Sequence, residues 1–312
     1  MKNIVLFKHP APAFRAELQS GFDLVDFDLK LGDKNDPRCA EGRVLMTSGS
    51  YGAFADEIAA LPSLGLICCV GTGYDRVDLD AAKARWIKVC HAAGTNAESV
   101  ADHAFALLLA AVRDIVNFDA VARSGAWRGP EETRPTITGR PIGIIGMGGI
   151  GKGIARRAAA SEMPVYYTAR SAKSDLPYTF VADVKDLAEH VDFLVVSAPG
   201  GAETQHMINA NVLAALGKDG YLVNIGRGSI VDTAALVHAL KSGVIRGAGI
   251  DVYEDEPDIP DDLIALKNVV LTPHVGGMVD GIHAKSAVLI RKNIEAFFAG
   301  EPLVTPIPEM AE

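Results

Sequence analysis

Residues 141–161 constrain the fold more than any other stretch of the chain. The apolar run Pro141 to Ile145 passes directly into Gly146-Met147-Gly148-Gly149-Ile150-Gly151, and then into Lys152 to Ser161, whose Ala- and Arg-rich composition favours helix. This is GxGxxG in the context it requires, between a strand and a helix. The first glycine permits a tight turn, and the second lets backbone amides approach a pyrophosphate. The third lets helix pack on strand, with the helix N-terminus aimed at the anion. The segment predicts a dinucleotide-binding βαβ unit, with Gly146, Gly148, Gly149, Ile150 and Gly151 lining the cradle.

The rest of the chain repeats the alternation. Short β-branched runs (Ile4 to Phe7, Val44 to Thr47, Leu66 to Val70, Ile87 to Cys90, Val165 to Thr168, Phe193 to Ser197, Tyr221 to Ile225, Gly247 to Asp251 and Val269 to Thr272) are each followed by a longer segment with helical spacing. Such alternation implies parallel βαβ units, and 312 residues at ~150 per domain imply roughly two domains. The longest helical pattern runs from Asn96 to Arg123, with Asn96 or Ser99 available as a cap. A second runs from Ala284 to Phe298 and stops at Gly300 and Pro302.

Composition excludes several function classes. With 49% hydrophobic and 22% charged residues the chain is globular, and its net charge of −9 provides no positive field for nucleic acid or an anionic membrane. No run approaches the ~18 apolar residues of a membrane span, and Met1 to Phe7 is too short for the core of a signal peptide. The four cysteines, Cys39, Cys68, Cys69 and Cys90, have no CxxC spacing and read as reduced, structural thiols. No His, Cys and Asp set has metal-ligand spacing. A cytoplasmic location is expected.

Cofactor choice turns on the segment after Val165 to Thr168. An NAD site usually places Asp or Glu there, roughly 20 residues beyond the glycine motif, where it repels a 2′-phosphate. Here the run is Ala169-Arg170-Ser171-Ala172-Lys173, with no acid before Asp175. Arg170, Ser171 and Lys173 can supply guanidinium, hydroxyl and ammonium to a phosphate. The expected cofactor is therefore NADP(H), with NAD(H) possible; a plain solvated basic loop is the alternative.

Three later segments place polar residues at the C-terminal ends of strands, where open α/β sheets bind ligands. These are Gly226-Arg227-Gly228-Ser229, Val252-Tyr253-Glu254-Asp255-Glu256-Pro257 and Pro273-His274-Val275-Gly276-Gly277. Reduction of a 2-keto acid needs a cation to orient and polarise oxygens, a proton donor at the carbonyl, and a carboxylate that keeps the donor charged. Arg227, His274 and Glu256 fit those roles in that order. His103, His238, His206 and His283 read as surface or satisfied interior residues.

Taken in order, Val70 to Asp75, Asn96 to Asp102, the glycine loop, Asn224 to Gly228, Asp251 to Pro257 and Thr272 to His274 resemble the D-isomer-specific 2-hydroxyacid dehydrogenase family over nearly the whole chain. The resemblance implies an α/β chain of two Rossmann-like, flavodoxin-like doubly wound parallel-sheet domains with the active site in the cleft between them. Residues 1–97 plus 285–312 would form a discontinuous substrate domain and 98–284 the nucleotide domain. It assigns substrate binding to Arg227, with Gly71, Thr72 and Gly73 receiving the carboxylate, and acid/base work to His274 with Glu256 as its partner. Asp251 would hold the nicotinamide amide, and Pro199, Thr204, Ile225, Gly226, Arg227, His274 and Gly276 would line the cofactor. A homodimer through the long helix is implied.

Within the family, Ala169 to Ser171 and Asp175 to Tyr178 resemble the NADPH-preferring glyoxylate/hydroxypyruvate reductases and hydroxyphenylpyruvate reductases. The loop Thr47-Ser48-Gly49-Ser50-Tyr51-Gly52 contains no Lys or Arg, which argues against a phosphorylated substrate. Two rivals are an NAD-linked dehydrogenase of another acid, such as phosphoglycerate, and a non-enzymatic dinucleotide-sensing scaffold. Two departures from the family pattern stand out. Asp102 occupies a position where many relatives have Glu, and Pro199 to Thr204 differs from the commoner Pro-Leu-Thr-Pro-Glu-Thr.

Overall fold

In the computed structural model the β-branched runs are strands, and every strand pair is parallel. Residues 3–8, 12–34, 36–49, 51–129 and 133–310 are described; Met1, Lys2 and Ser50 lie outside them. The chain divides into two compact units, Met1–Asn96 with Val279–Glu312, and Ala97–Met278.

In the first unit, β1 (Ile4–Phe7), α1 (Pro12–Leu18), β2 (Asp23–Asp26), β3 (Val44–Thr47), α2 (Ala55–Ala60), β4 (Leu66–Cys69), α3 (Leu79–Ala84) and β5 (Lys88–His91) follow in order. The sheet order is β2-β1-β3-β4-β5. Strands β3 and β4 are buried along their whole length, because helices cover both faces, and their runs are accordingly apolar apart from Thr47, whose hydroxyl donates to Gly52 O. One core contains Leu6, Leu45, Ile58, Ile67 and Val89, the other Val5, Phe7, Phe14, Met46 and Cys68. The chain order reverses between β1 and β3, and the loops after the parallel strands of this sheet share one edge, where sheets of this kind place ligands.

The second unit runs α4 (Ala97–Arg113), α5 (Ile115–Arg123), β6 (Ile142–Ile145), α6 (Gly149–Ala160), β7 (Val165–Thr168), β8 (Thr179–Phe180), α7 (Val184–Glu189), β9 (Phe193–Val196), α8 (Ala210–Leu216), β10 (Tyr221–Asn224), α9 (Thr233–Lys241), β11 (Gly247–Ile250), α10 (Asp261–Ile264) and β12 (Val269–Leu271). Its sheet order is β12-β11-β10-β9-β6-β7-β8, with the reversal between β6 and β9. The final helix, α11 (Ile282–Ala299), returns to the first unit and ends on Gly300 at φ 74°. Gly300 thus supplies the left-handed stop that glycine adopts most easily.

Two elements differ from the sequence reading. The single helix expected from Asn96 to Arg123 is broken at Asp114, whose φ is 57°. The Asp114 carboxylate at this break accepts a tertiary bond from Arg134 at Oδ2, 2.6 Å, and a local one from Asn117 at Oδ1, 2.5 Å. Strands β2 and β8 escape periodicity, since Asp23–Asp26 is half acidic and Thr179–Phe180 is only two residues long. Among the described residues no helix is long and apolar enough to cross a membrane, and no group of three or more His, Cys, Asp or Glu is placed to hold a metal. All four cysteines are free and buried.

Candidate active site

The glycine loop sits at the β6/β9 reversal. Gly146 has φ 93°, and a Cβ there would lie 2.8 Å from the amide nitrogen of Ala198. A Cβ on Gly151 would meet the carbonyl oxygen of Gly146 at 2.0 Å, whereas one on Gly148 would meet nothing within 4 Å. Two glycines therefore let the loop fold back against β9, and the one between them leaves backbone open for a pyrophosphate to approach. Gly148 caps α6 without a side-chain bond, so the helix presents its first amides to an anion. The Ser197 hydroxyl donates to Gly146 O at 2.8 Å and ties the loop to the end of β9. These residues fit a dinucleotide.

After β7, Arg170, Ser171 and Lys173 are exposed. Pro199 and Thr204 close a loop on themselves, the Thr204 hydroxyl donating to Pro199 O at 3.0 Å. Ile225 is buried beside Gly226, whose amide donates to the Asn224 side chain at 3.1 Å. Asn224, fully buried, also donates to Arg227 O at 3.0 Å and so shapes the turn that presents Arg227.

His274 follows β12 with φ 54°, an uncommon conformation for a histidine. Its amide donates to Asp251 O at 2.8 Å. The Asp251 carboxylate, 2% exposed, gathers the loop around it. Oδ1 accepts from the Thr272 hydroxyl at 2.6 Å and from Val275 N at 2.9 Å, and Oδ2 accepts from Gly276 N at 3.0 Å. Because Thr272 gives its proton to Asp251, the 3.0 Å contact between His103 Nε2 and Thr272 Oγ1 requires Nε2–H of His103 as donor. His103 therefore completes this network as a half-buried residue whose Nε2 is satisfied. The sequence offered no sign of that contact, since His103 lies on α4, 169 residues before Thr272.

His274 Nδ1 lies 2.8 Å from Glu256 Oε2, and Glu256 Oε1 accepts from Tyr253 N at 3.1 Å. The imidazole keeps 45% of its surface open. The hydrogen bond and negative charge of Glu256 raise the pKa of His274 against the opposing effects of burial and of Arg227. Burial alone would raise Glu256, but its bonds to His274 and Tyr253 and the nearby Arg227 charge hold it below the usual glutamate range. Arg227 thus acts electrostatically on both partners, and the turns after β10, β11 and β12 bring cation, carboxylate and imidazole together. A second His–Glu pair, His206 with Glu254 at 2.5 Å, is anchored to α9 through Thr233 N.

In the first unit the Gly71 carbonyl accepts from Ala92 N at 2.9 Å and the Thr72 carbonyl from His91 Nδ1 at 2.7 Å. Among the described residues the amides of Gly71, Thr72 and Gly73 donate to no partner. A cation does reach the loop Thr47 to Gly52: Lys8, at the end of β1, donates to Tyr51 O at 3.0 Å and Gly52 O at 3.1 Å. Its charge is met by Glu57 Oε2 at 2.7 Å, with only 14% and 8% of the two side chains exposed. The loop composition alone missed this lysine, but its ammonium is already neutralised. Asp102, the family departure on α4, bonds Arg157 of α6 at 2.8 Å.

Residues 105–276 match the family of D-isomer specific 2-hydroxyacid dehydrogenases, NAD binding domain. The chain is 41% identical over 266 residues to a hydroxyphenylpyruvate reductase of Plectranthus scutellarioides, covering 85% of each chain. It is 40% identical, with the same coverage, to glyoxylate/hydroxypyruvate reductase A of Arabidopsis thaliana. The NADPH-dependent glyoxylate/hydroxypyruvate reductase of Sinorhizobium meliloti, solved with NADP and malonate, superposes with a TM-score of 0.92 at 35% identity, over 99% of this chain and 98% of that one. With its parallel sheets, glycine cradle and Arg–Glu–His cluster, the chain belongs to the D-isomer-specific 2-hydroxyacid dehydrogenases, and it is an NAD(P)-dependent oxidoreductase of that family.

Proposed function

We propose that the protein reduces a small, unphosphorylated 2-keto acid of the glyoxylate or hydroxypyruvate type to the D-2-hydroxy acid, with NADPH as the preferred reductant. The observation that carries this reading is the 2.8 Å bond between His274 and Glu256 beside the Arg227 charge. The chemistry supplied by a bound reduced nicotinamide dinucleotide is a hydride for C2 of the keto acid. Arg227 orients the substrate and polarises its oxygens. His274, held by Glu256 through Nδ1, keeps Nε2 for proton donation to the developing alkoxide. Gly71, Thr72 and Gly73 offer amides to the carboxylate. Asp251 retains a lone pair on Oδ2 for the nicotinamide amide, and Arg170, Ser171 and Lys173 receive the 2′-phosphate. The neutralised Lys8 and the cation-free loop Thr47 to Gly52 disfavour a phosphorylated substrate.

Initial rates of NADPH and NADH oxidation with glyoxylate, hydroxypyruvate, 4-hydroxyphenylpyruvate and 3-phosphohydroxypyruvate test the proposal. A marked NADPH preference with glyoxylate or hydroxypyruvate is expected. NADH preference would make Arg170 a solvated residue only, and dinucleotide binding without turnover would favour a sensor.

Glu256→Gln removes the anion that raises His274, so the alkaline fall-off of reduction moves to lower pH; an unmoved profile would sink the pairing. The same linkage acts on stability. The raised His274 pKa stabilises the fold fully below the unfolded value near 6.5, and this contribution is lost as pH rises through the folded value.

The homodimer is assigned to α4 and α5. Helix α5 has no buried residue yet exposes Ile115 and Val116, next to a groove lined by Leu109, Ile115 and Phe118 with the charged Arg113 and Asp119. Four free, buried thiols suit the reducing cytoplasm, where we place the enzyme.

A further inference from the structure

The geometry points to Tyr167 as a positioning residue for cofactor choice: its hydroxyl holds the 170–173 loop in the shape that receives a 2′-phosphate. This inference rests on the NADPH reading above and deepens it. Tyr167 stands on β7, 1% exposed, with its ring 5.5 Å from that of Phe180 on the neighbouring β8. A hydroxyl so deep in a core needs a partner, and it finds one in the backbone of the loop that follows its own strand. The amide of Lys173 donates to the Tyr167 oxygen at 2.7 Å.

That bond pins the loop near its middle, and other contacts fix both ends. At the start, Thr168 donates through its hydroxyl to Ala182 O at 3.1 Å, and its carbonyl accepts from Gly146 N at 3.0 Å, which couples this loop to the glycine cradle. At the far end, Leu176 N donates to Lys173 O at 3.2 Å, while Asp175 pairs with Lys152 of α6 at 3.3 Å. Leu176 and Tyr178 pack into the same core as Tyr167. The exposed side chains of Arg170, Ser171 and Lys173 therefore project from a backbone held at three places. No such restraint comes from the three side chains themselves: Arg170 and Ser171 make no hydrogen bond or ion pair with another described residue. Loose cationic side chains on a loose loop would lose much of their binding in the entropy of ordering; a backbone already fixed removes part of that cost.

The effect must be selective. NADPH and NADH differ only in the 2′-phosphate, so a residue that shapes only its receptor changes the ratio between the two cofactors, whereas a residue that merely supports the sheet changes both alike. The test uses Tyr167→Phe, which keeps the ring and its packing, with Arg170→Ala as the control. Adenosine 2′,5′-bisphosphate and AMP binding are measured by calorimetry, and kcat/KM for NADPH and NADH is measured with one keto acid. For Tyr167→Phe, bisphosphate affinity and NADPH kcat/KM should fall roughly three- to tenfold, the range of one lost neutral hydrogen bond, with AMP and NADH unchanged. Equal losses for both ligands would make Tyr167 a structural residue, and no loss for either would show that the hydroxyl is dispensable; both outcomes overturn the inference. If Arg170→Ala also leaves the ligand ratio at the wild-type value, the NADPH reading itself fails. If it lowers the ratio and Tyr167→Phe does not, only the role of Tyr167 falls.

Discussion

Replacing His274 by asparagine lowers kcat for keto-acid reduction by about 10²- to 10⁴-fold, the usual contribution of a positioned proton donor. Asparagine is the informative substitution because residue 274 has φ 54°, a left-handed backbone that asparagine tolerates better than alanine or glutamine. The turn held by Asp251 then survives, and the loss reports on the imidazole. Cofactor affinity through the glycine cradle should stay near wild type, since the cradle lies after β6 and His274 after β12. Single-turnover rates with bound reduced cofactor, alongside a melting curve, make the measurement. A folded variant that reduces keto acid at the wild-type rate would place the proton donor elsewhere.

Arg227→Leu should cut kcat/KM by about 10²- to 10³-fold, with KM rising and kcat falling together, because one guanidinium both orients the ground state and meets charge as it develops. The pH profile carries a second signature. Arg227 lowers the pKa of His274, so its removal lets that pKa rise and moves the alkaline fall-off of the residual activity to higher pH. Glu256→Gln moves the same limb in the opposite direction. Profiles that shift the same way in both variants would show that the three groups do not form one electrostatic cluster.

Much of this molecule is legible along the chain because its information is local. Strand runs such as Val44–Thr47 and Val165–Thr168 coincide with observed strands, since a strand covered on both faces is mostly apolar along its length. The glycine loop is equally plain, its spacing being set by one turn, one approach and one packing contact within six residues. Arg227, Glu256 and His274 are legible as candidates because each lies in the loop that follows a strand, and parallel pairing carries all such loops to the same edge of a sheet.

Elements whose conformation is decided by distant partners are not legible. Asp114 sits in an unbroken helical pattern, and the break there is accompanied by a bond to its carboxylate from Arg134, 20 residues on. The buried Lys8–Glu57 pair forms beneath the loop Thr47 to Gly52 because β1 and β3 are neighbours in the sheet, although Lys8 and Glu57 are 49 residues apart. His103 and Tyr167 show the same limit. One is drawn into the Asp251 network across 169 residues, and the other offers from a core position a hydroxyl that no periodicity distinguishes from packing.

The amino-acid sequence by itself determined the class of fold, the cradle for a dinucleotide and the candidates for the reacting groups, because periodicity and glycine spacing act over a few residues. Tertiary structure alone decided the distance and orientation at which Glu256 meets His274, the gathering of the His274 loop around Asp251 and the clamping of the 170–173 loop by Tyr167. Hydrogen bonds reach only about 3 Å, and chain topology determines which distant residues come that close.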